Sequence, residues 1–272
     1  MSTILRSLAF LCLWTAFAGS VQAQITLSAP PRETPEAGEK LYGPLAKYLS
    51  AVLDDTVVYR HPGDWRNYEK EVQAGAYDIV FDGPHFAAWR IDSGQAVPAV
   101  RLPGSLTFVL AVKADDQITD YRQLVGHKIC AMPPPQLGTL SVYAMFPNPV
   151  QQPEFVLVTG WFDEALKGLD AGKCRAAVLR DLYFKKMQSK GRDDIKVIAS
   201  SAPLLEQGFT VNTRLPAAKQ AQIHKALMEP AALIAAKPIL DRFAAKATNF
   251  VDSSEQDYAG LNLLRDTMIF GW

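Results

Sequence analysis

From Ile25 onward, short apolar runs alternate with longer segments of helical period, and this alternation limits the possible folds more than any other feature. "ITLSA" (25–29) reads as a strand. Beyond Pro35, Leu41, Leu45, Leu49 and Leu53 recur at a spacing of four, with Tyr48 and Val52 beside them, as on one face of a helix. Pro44 marks the first turns of that helix or a kink in it. "TVVYR" (56–60) is β-branched and reads as the next strand. Asp64 is a candidate N-cap for a helix reaching residue 74, and Gly75 is its stop. "YDIVF" (77–81) returns to strand character, and a helix follows over 86–91. Strands this continuously apolar, separated by helices, predict a parallel sheet with both faces covered.

"SLTFVLAVKADD" (105–116) breaks the rhythm with a longer extended run. A second alternating unit follows: helix 119–125, strand 128–132, a proline-rich turn, strand 155–158, helix 161–171, strand 175–179, helix 181–189 and strand 195–199. A second extended stretch, "EQGFTVNT" (206–213), leads into helices over 216–228 and 230–247. The expected fold is therefore α/β and two-lobed, each lobe a mostly parallel sheet flanked by helices, with two extended crossings between them. Lobe one takes 24–110 and 206–272, and lobe two takes 111–205. In open sheets, ligands collect beyond the carboxyl ends of the strands. Asp82-Gly83-Pro84 stands at such an end. Pro84 suits the first turn of a helix, where its missing N–H would be unpaired anyway, and Gly83 lets backbone come close to a neighbour. The corner reads as the edge of a cleft, with a plain turn as the alternative.

The first 23 residues read as a secretory leader. Arg6 is their only charge, 8–18 is apolar apart from Thr15, and "GSVQA" supplies small residues for cleavage after Ala23. Cys12 sits inside the apolar run, away from any lipoprotein box, so no lipid anchor is expected. An exported chain with Cys130 and Cys174 left is expected to join them in a disulfide; two small buried hydrophobes are the alternative. Lys and Arg number 28 against 28 Asp and Glu, so losing Arg6 leaves a net charge of about −1. That balance gives no reason to expect nucleic acid as a partner. The four histidines (His61, His85, His127 and His224) are isolated and form no HExxH, so no metal is expected. No GxSxG elbow and no glycine-rich phosphate loop occur, which argues against an enzyme and against a cofactor.

An ordered set of segments resembles the phosphonate/phosphite-type periplasmic substrate-binding proteins of ABC importers. These are "LYGPLAKYLSAVL" (41–53), "DWRNYEKEVQAGAYDIVFDGPHF" (64–86), "DYRQLVGHKI" (120–129), "TGWFDEALKGLDAGKCRAAVL" (159–179) and "LPAAKQAQIHKALME" (215–229). The resemblance implies a type II binding-protein fold that closes by hinge motion on a small ligand and hands it to an inner-membrane ABC permease. A role as ligand-sensing partner of a membrane signalling protein is the alternative, and a monomer is expected. The family implies an aromatic cleft contact near Trp65 and Tyr68, and another contact at Thr107 and Phe108.

The other candidate ligand residues carry bland alternatives of their own. Asp82 is also an N-cap candidate, and His85 also fits the first turn of a helix. Thr139 and Ser141 could simply cap a helix start. Trp161 reads as an aromatic wall or cation–π platform, and Arg180 could pair with Asp181. Three departures from the family bear on the ligand. "PPPQLGTLSVY" (133–143) replaces a Ser-Thr-Ser-Gly helix start, Trp161-Phe162 replaces a Ser-His pair, and Asp82 precedes Gly-Pro. A cleft carboxylate would repel an anion by about 4 kcal/mol at 4 Å and intermediate dielectric. The expectation is therefore a ligand with an amine or hydroxyl donors and an apolar part, held in preference to a phosphonate.

Overall fold

The computed structural model describes residues 24–244 and 246–262. The expected leader and its cleavage point after Ala23 lie outside the described residues. The chain opens with β1 (Ile25–Ser28), α1 (Pro35–Leu53), β2 (Val57–Tyr59), α2 (Trp65–Gln73), β3 (Ile79–Asp82), α3 (Pro84–Asp92) and β4 (Ala96–Arg101). A short β5 (Ser105–Leu106) leads to β6 (Phe108–Lys113), a 3₁₀ turn at Tyr121–Leu124, β7 (Lys128–Ala131) and α4 (Leu137–Tyr143). Then come β8 (Glu154–Leu157), α5 (Phe162–Asp170), β9 (Ala176–Arg180), α6 (Asp181–Gln188) and β10 (Ile195–Ser200). The chain returns through β11 (Leu204–Leu205) and β12 (Gly208–Asn212). It finishes with α7 (Ala217–Met228), α8 (Pro230–Ala235), α9 (Lys237–Phe243), β13 (Val251–Asp252) and α10 (Glu255–Tyr258).

The strands form two main sheets, ordered β13-β4-β12-β3-β1-β2 and β10-β6-β9-β7-β8. β5 and β11 pair antiparallel between them, Leu204 opposite Leu106. Each sheet is mixed where mostly parallel pairing was expected. β1 pairs in parallel with β2 and β3, and β7 with β8 and β9. The crossing strands run against these: β12 lies antiparallel between β3 and β4, and β6 lies antiparallel between β9 and β10. Each lobe thus receives one strand directly from a crossing, and such a strand enters from the opposite end. β6 joins the second sheet from Phe108 on, ahead of the division expected at 110/111.

α1 begins at Thr34, whose hydroxyl accepts from the Ala37 amide at 3.3 Å, with Pro35 in the first turn. Its leucines behave as their spacing requires: Leu41, Leu45, Leu49 and Leu53 are buried with Tyr42 against Leu27, Ile79 and Phe209. Pro44 lies inside the helix on its exposed side, where the Lys40 carbonyl it cannot bond can reach water. The single helix expected over 230–247 is two short ones, α8 and α9. Pro238 lacks the amide that would continue the first, so α9 starts afresh with the proline in its opening turn. β4 was not legible: Pro98 interrupts it, and its partners β12 and β13 come from the far end of the chain.

The second sheet is covered on both faces. Val109, Ala111 and Leu179 meet Leu166 and Leu169 of α5, while Leu110, Val112 and Val178 meet Ile129, Val142 and Phe146 on the other side. Period-two side-chain placement along β6 produces this split. Cys130 on β7 and Cys174 just before β9 are joined in a disulfide, their Cα atoms 5.5 Å apart. A side chain at Gly168 would collide with the Cys130 sulfur, so this glycine lets α5 lie directly on the bridge.

Candidate functional site

The loops after β1 and β3 in one lobe face those after β7 and β8 in the other. His85 Nε2, at the start of α3, donates to the Pro135 carbonyl at 3.0 Å. The Arg242 guanidinium, at the end of α9, lies 5.1 Å from the Trp161 ring centroid. The lobes therefore touch at the carboxyl ends of their strands.

Two guanidinium groups share the lobe-one side of this contact. Arg32 follows β1 and donates to Gln207 Oε1 at 2.5 Å. Arg32 and Arg242 flank the Phe243 ring, 5.5 and 5.3 Å from its centroid. Arg242 Nε pairs with Glu33 at 3.2 Å. Among the described residues Arg32 forms no salt bridge. Tyr42, fully buried on α1, lies in the field of both arginines, and its hydroxyl has no hydrogen-bond partner among the described residues. Burial pushes that phenol well above its ordinary range, so it keeps its proton at any physiological pH.

The lobe-two side is aromatic. Trp161 caps α5 while leaving 44% of its surface exposed, and its ring stacks with Phe162, centroids 5.8 Å apart. Phe108, buried at the start of β6, lies 6.5 Å from Phe162. A Cβ on Gly138 would meet the Phe108 ring at 2.5 Å, so α4 approaches this closely only because residue 138 has no side chain.

Several expected ligand residues have other occupations. Asp82 is fully buried and accepts from the Tyr68 hydroxyl at 2.7 Å; its Oδ1 and Oδ2 each lie 3.2 Å from Arg90 Nη2. Arg90 also donates to the Thr210 hydroxyl. Burial pushes the Asp82 carboxyl up, and Arg90 and the Tyr68 proton oppose that rise. Asp82 is thus a compensated interior charge. Its predicted repulsion of an anion in the cleft does not apply, because Arg90 already neutralises it. Tyr68, equally buried, serves that carboxylate. The Thr139 hydroxyl donates to the Met132 carbonyl at 2.6 Å, and the Ser141 hydroxyl donates to Leu137 at 2.7 Å. Gln136 Oε1 accepts from the Thr139 amide at 2.9 Å, so the start of α4 is capped from within the chain.

The remaining candidates surround the contact. Trp65 is 39% exposed and stacks on Phe86, beside His85. Thr107 is partly exposed at the first crossing, where its carbonyl accepts from the Asp181 amide at 3.0 Å. Arg180, at the end of β9, pairs with Glu206 on the second crossing instead of Asp181. Burial raises the Glu206 carboxyl, and Arg180 counters it. No group of three His, Cys, Asp or Glu among the described residues is placed to hold a metal ion.

Arg32, Glu33, Tyr42, Glu206, Gln207, Arg242 and Phe243 were not foreseen. For Arg32 a signal was available, since "APPRE" follows β1 as Asp82-Gly83-Pro84 follows β3, and the same carboxyl-end rule applies. Nothing in the local spacing of α1 distinguishes Tyr42 from a core residue. Arg242 had no local signal, because only packing of α9 against α1 brings it near Arg32.

Comparison with known proteins agrees with this architecture. The family model for the ABC transporter, phosphonate, periplasmic substrate-binding protein matches residues 27–258. No curated protein matches the sequence. Among solved structures, XAC2383 from Xanthomonas citri, bound to ATP, superposes with a TM-score of 0.73 at 16% identity, over 90% of this chain and 99% of that one. PhnD1 from Prochlorococcus marinus, in complex with methylphosphonate, gives a TM-score of 0.67 at 13% identity, over 89% and 97%. The periplasmic aliphatic sulphonate binding protein SsuA from Escherichia coli gives 0.52 at 16% identity, over 90% and 78%. At these identities the solved structures establish the type II binding-protein fold alone. The matched segment spans nearly all of the described residues, and the chain belongs to the family of phosphonate-type periplasmic substrate-binding proteins of ABC transporters.

Proposed function

We propose that this protein is exported with removal of its leader after Ala23, works as a monomer, and closes its two lobes on a small ligand for delivery to an ABC permease. The observation that carries the reading is the join between lobes. Among the described residues β5 and β11 are the only paired strands in the crossings, while the opposed loops meet through His85–Pro135 and Arg242–Trp161. A narrow join of this kind bends at little cost, and contacts at the far ends of the loops respond to whatever lies between them. The family supports import over sensing.

Small-angle scattering and thermal unfolding with a panel of phosphonates, sulphonates, carboxylates and amines test this. A bound compound at 100 times its Kd adds about 2.7 kcal/mol of stability, and the radius of gyration falls as the lobes close. A panel in which no compound changes either quantity overturns the reading.

A further inference from the structure

We infer that the cleft takes a monoanionic oxyanion with an apolar body, its charged end held on lobe one by Arg32, Arg242 and the Tyr42 hydroxyl. This rests on the receptor reading and adds the chemistry of the ligand and its orientation. Charge decides the valence. Glu33 already offsets Arg242, 3.2 Å away, whereas Arg32 forms no salt bridge among the described residues. One surplus cation balances one negative charge, and a second would lie beside Glu33 without a counter-ion. Guanidinium forks match the paired oxygens of a carboxylate or sulphonate.

Tyr42 supplies the independent observation. It is fully buried, and its hydroxyl has no partner among the described residues. A buried hydroxyl without a partner is costly, and an oxyanion at the arginine pair would accept its proton. Among the described residues of lobe two, the loop before α4 and the start of that helix offer no comparable side-chain anchor. Residues 133–135 are prolines without N–H groups, the Thr139 amide is taken by Gln136, and the hydroxyls of Thr139 and Ser141 donate to backbone carbonyls. What lobe two presents is the exposed ring of Trp161, stacked on Phe162, against which the apolar body lies.

The experiment is calorimetric titration of the full mature protein with probes that share one ring: benzoate and benzenesulphonate as monoanions, phenylphosphonate at pH 8 as the dianion, and benzamide as the neutral control. The monoanions are expected to bind tightest. Arg32→Ala is expected to weaken them roughly 10- to 100-fold, the loss typical of a charge-assisted hydrogen bond. Arg32→Lys recovers part of that affinity, and Tyr42→Phe weakens binding without lowering the melting temperature of the free protein. Dianion binding equal to or tighter than that of the monoanions, or unchanged affinity in Arg32→Ala, overturns the inference. If amines or neutral compounds close the lobes while no monoanion binds, the inference falls and the receptor reading stands. If no compound of any class closes them, both fall.

Discussion

Replacing Asp82 with Ala strips Arg90 of its counter-charge inside lobe one. The pair is buried on both sides, with side chains 5% and 0% exposed, so water cannot take over. Removing one partner of such a pair costs about 3–5 kcal/mol. Denaturant unfolding of Asp82→Ala is therefore expected to show a loss of that size, with ligand affinity unchanged in whatever protein still folds. An affinity loss without a stability loss would return Asp82 to the cleft. The contrast with Arg32 is instructive. Arg32 follows β1 and Asp82 ends β3 of the same sheet, but Arg90 reaches Asp82 from α3 while among the described residues no carboxylate pairs with Arg32.

At the scale of elements, lobe two is held by devices that respond to solution conditions. The Cys130–Cys174 bridge ties β7 to the segment entering β9 across a sequence separation of 44. Closing a loop of that length stabilises by about 2–4 kcal/mol. The double variant Cys130→Ser, Cys174→Ser is expected to unfold earlier by that amount, and the native mature protein to show no free thiol when denatured. Acid acts on the same lobe. The Arg192 guanidinium hydrogen-bonded to Asp194 holds its carboxyl below the ordinary range, and Arg175 does the same to Asp116. A carboxyl whose folded pKa is depressed takes up its proton more readily in the unfolded chain. The stabilisation is then complete above about pH 4, the unfolded value, and fades as pH falls through the folded values. Unfolding midpoints should drop on acidification below about pH 4. Asp194→Asn should flatten that dependence, and salt should shrink it because the group is largely exposed.

For the whole molecule, the balance between open and closed forms depends on contacts at the loop tips. The Arg242–Trp161 contact is partly exposed, and a cation–π pair in such a setting contributes about 0.5–1 kcal/mol. Trp161→Ala should therefore shift the unliganded population toward the open form roughly two- to fivefold. Scattering would register this as a larger radius of gyration, with little change in the melting temperature of either lobe. A variant as closed as the parent would remove Trp161 from any role in closure.

Much of the fold was legible because its causes are local. The leucines of α1, the Asp64 cap and the apolar runs of β3 and β6 each act within a few residues, so the alternation of strand and helix announces an α/β fold of two units. Cys130 and Cys174 were readable as a pair because both lie at strands of one lobe in a chain whose first 23 residues read as a leader. The site was less legible because its members meet only after folding. Asp82 looked like a cleft carboxylate until α3 brought Arg90 beneath it. Arg242 joins the candidate site only because α9 packs on α1 and brings its guanidinium to Trp161. A sequence specifies what each segment can bury; which charges find partners is decided by the three-dimensional arrangement, since Coulomb and hydrogen-bond energies depend on distances between residues far apart in the chain.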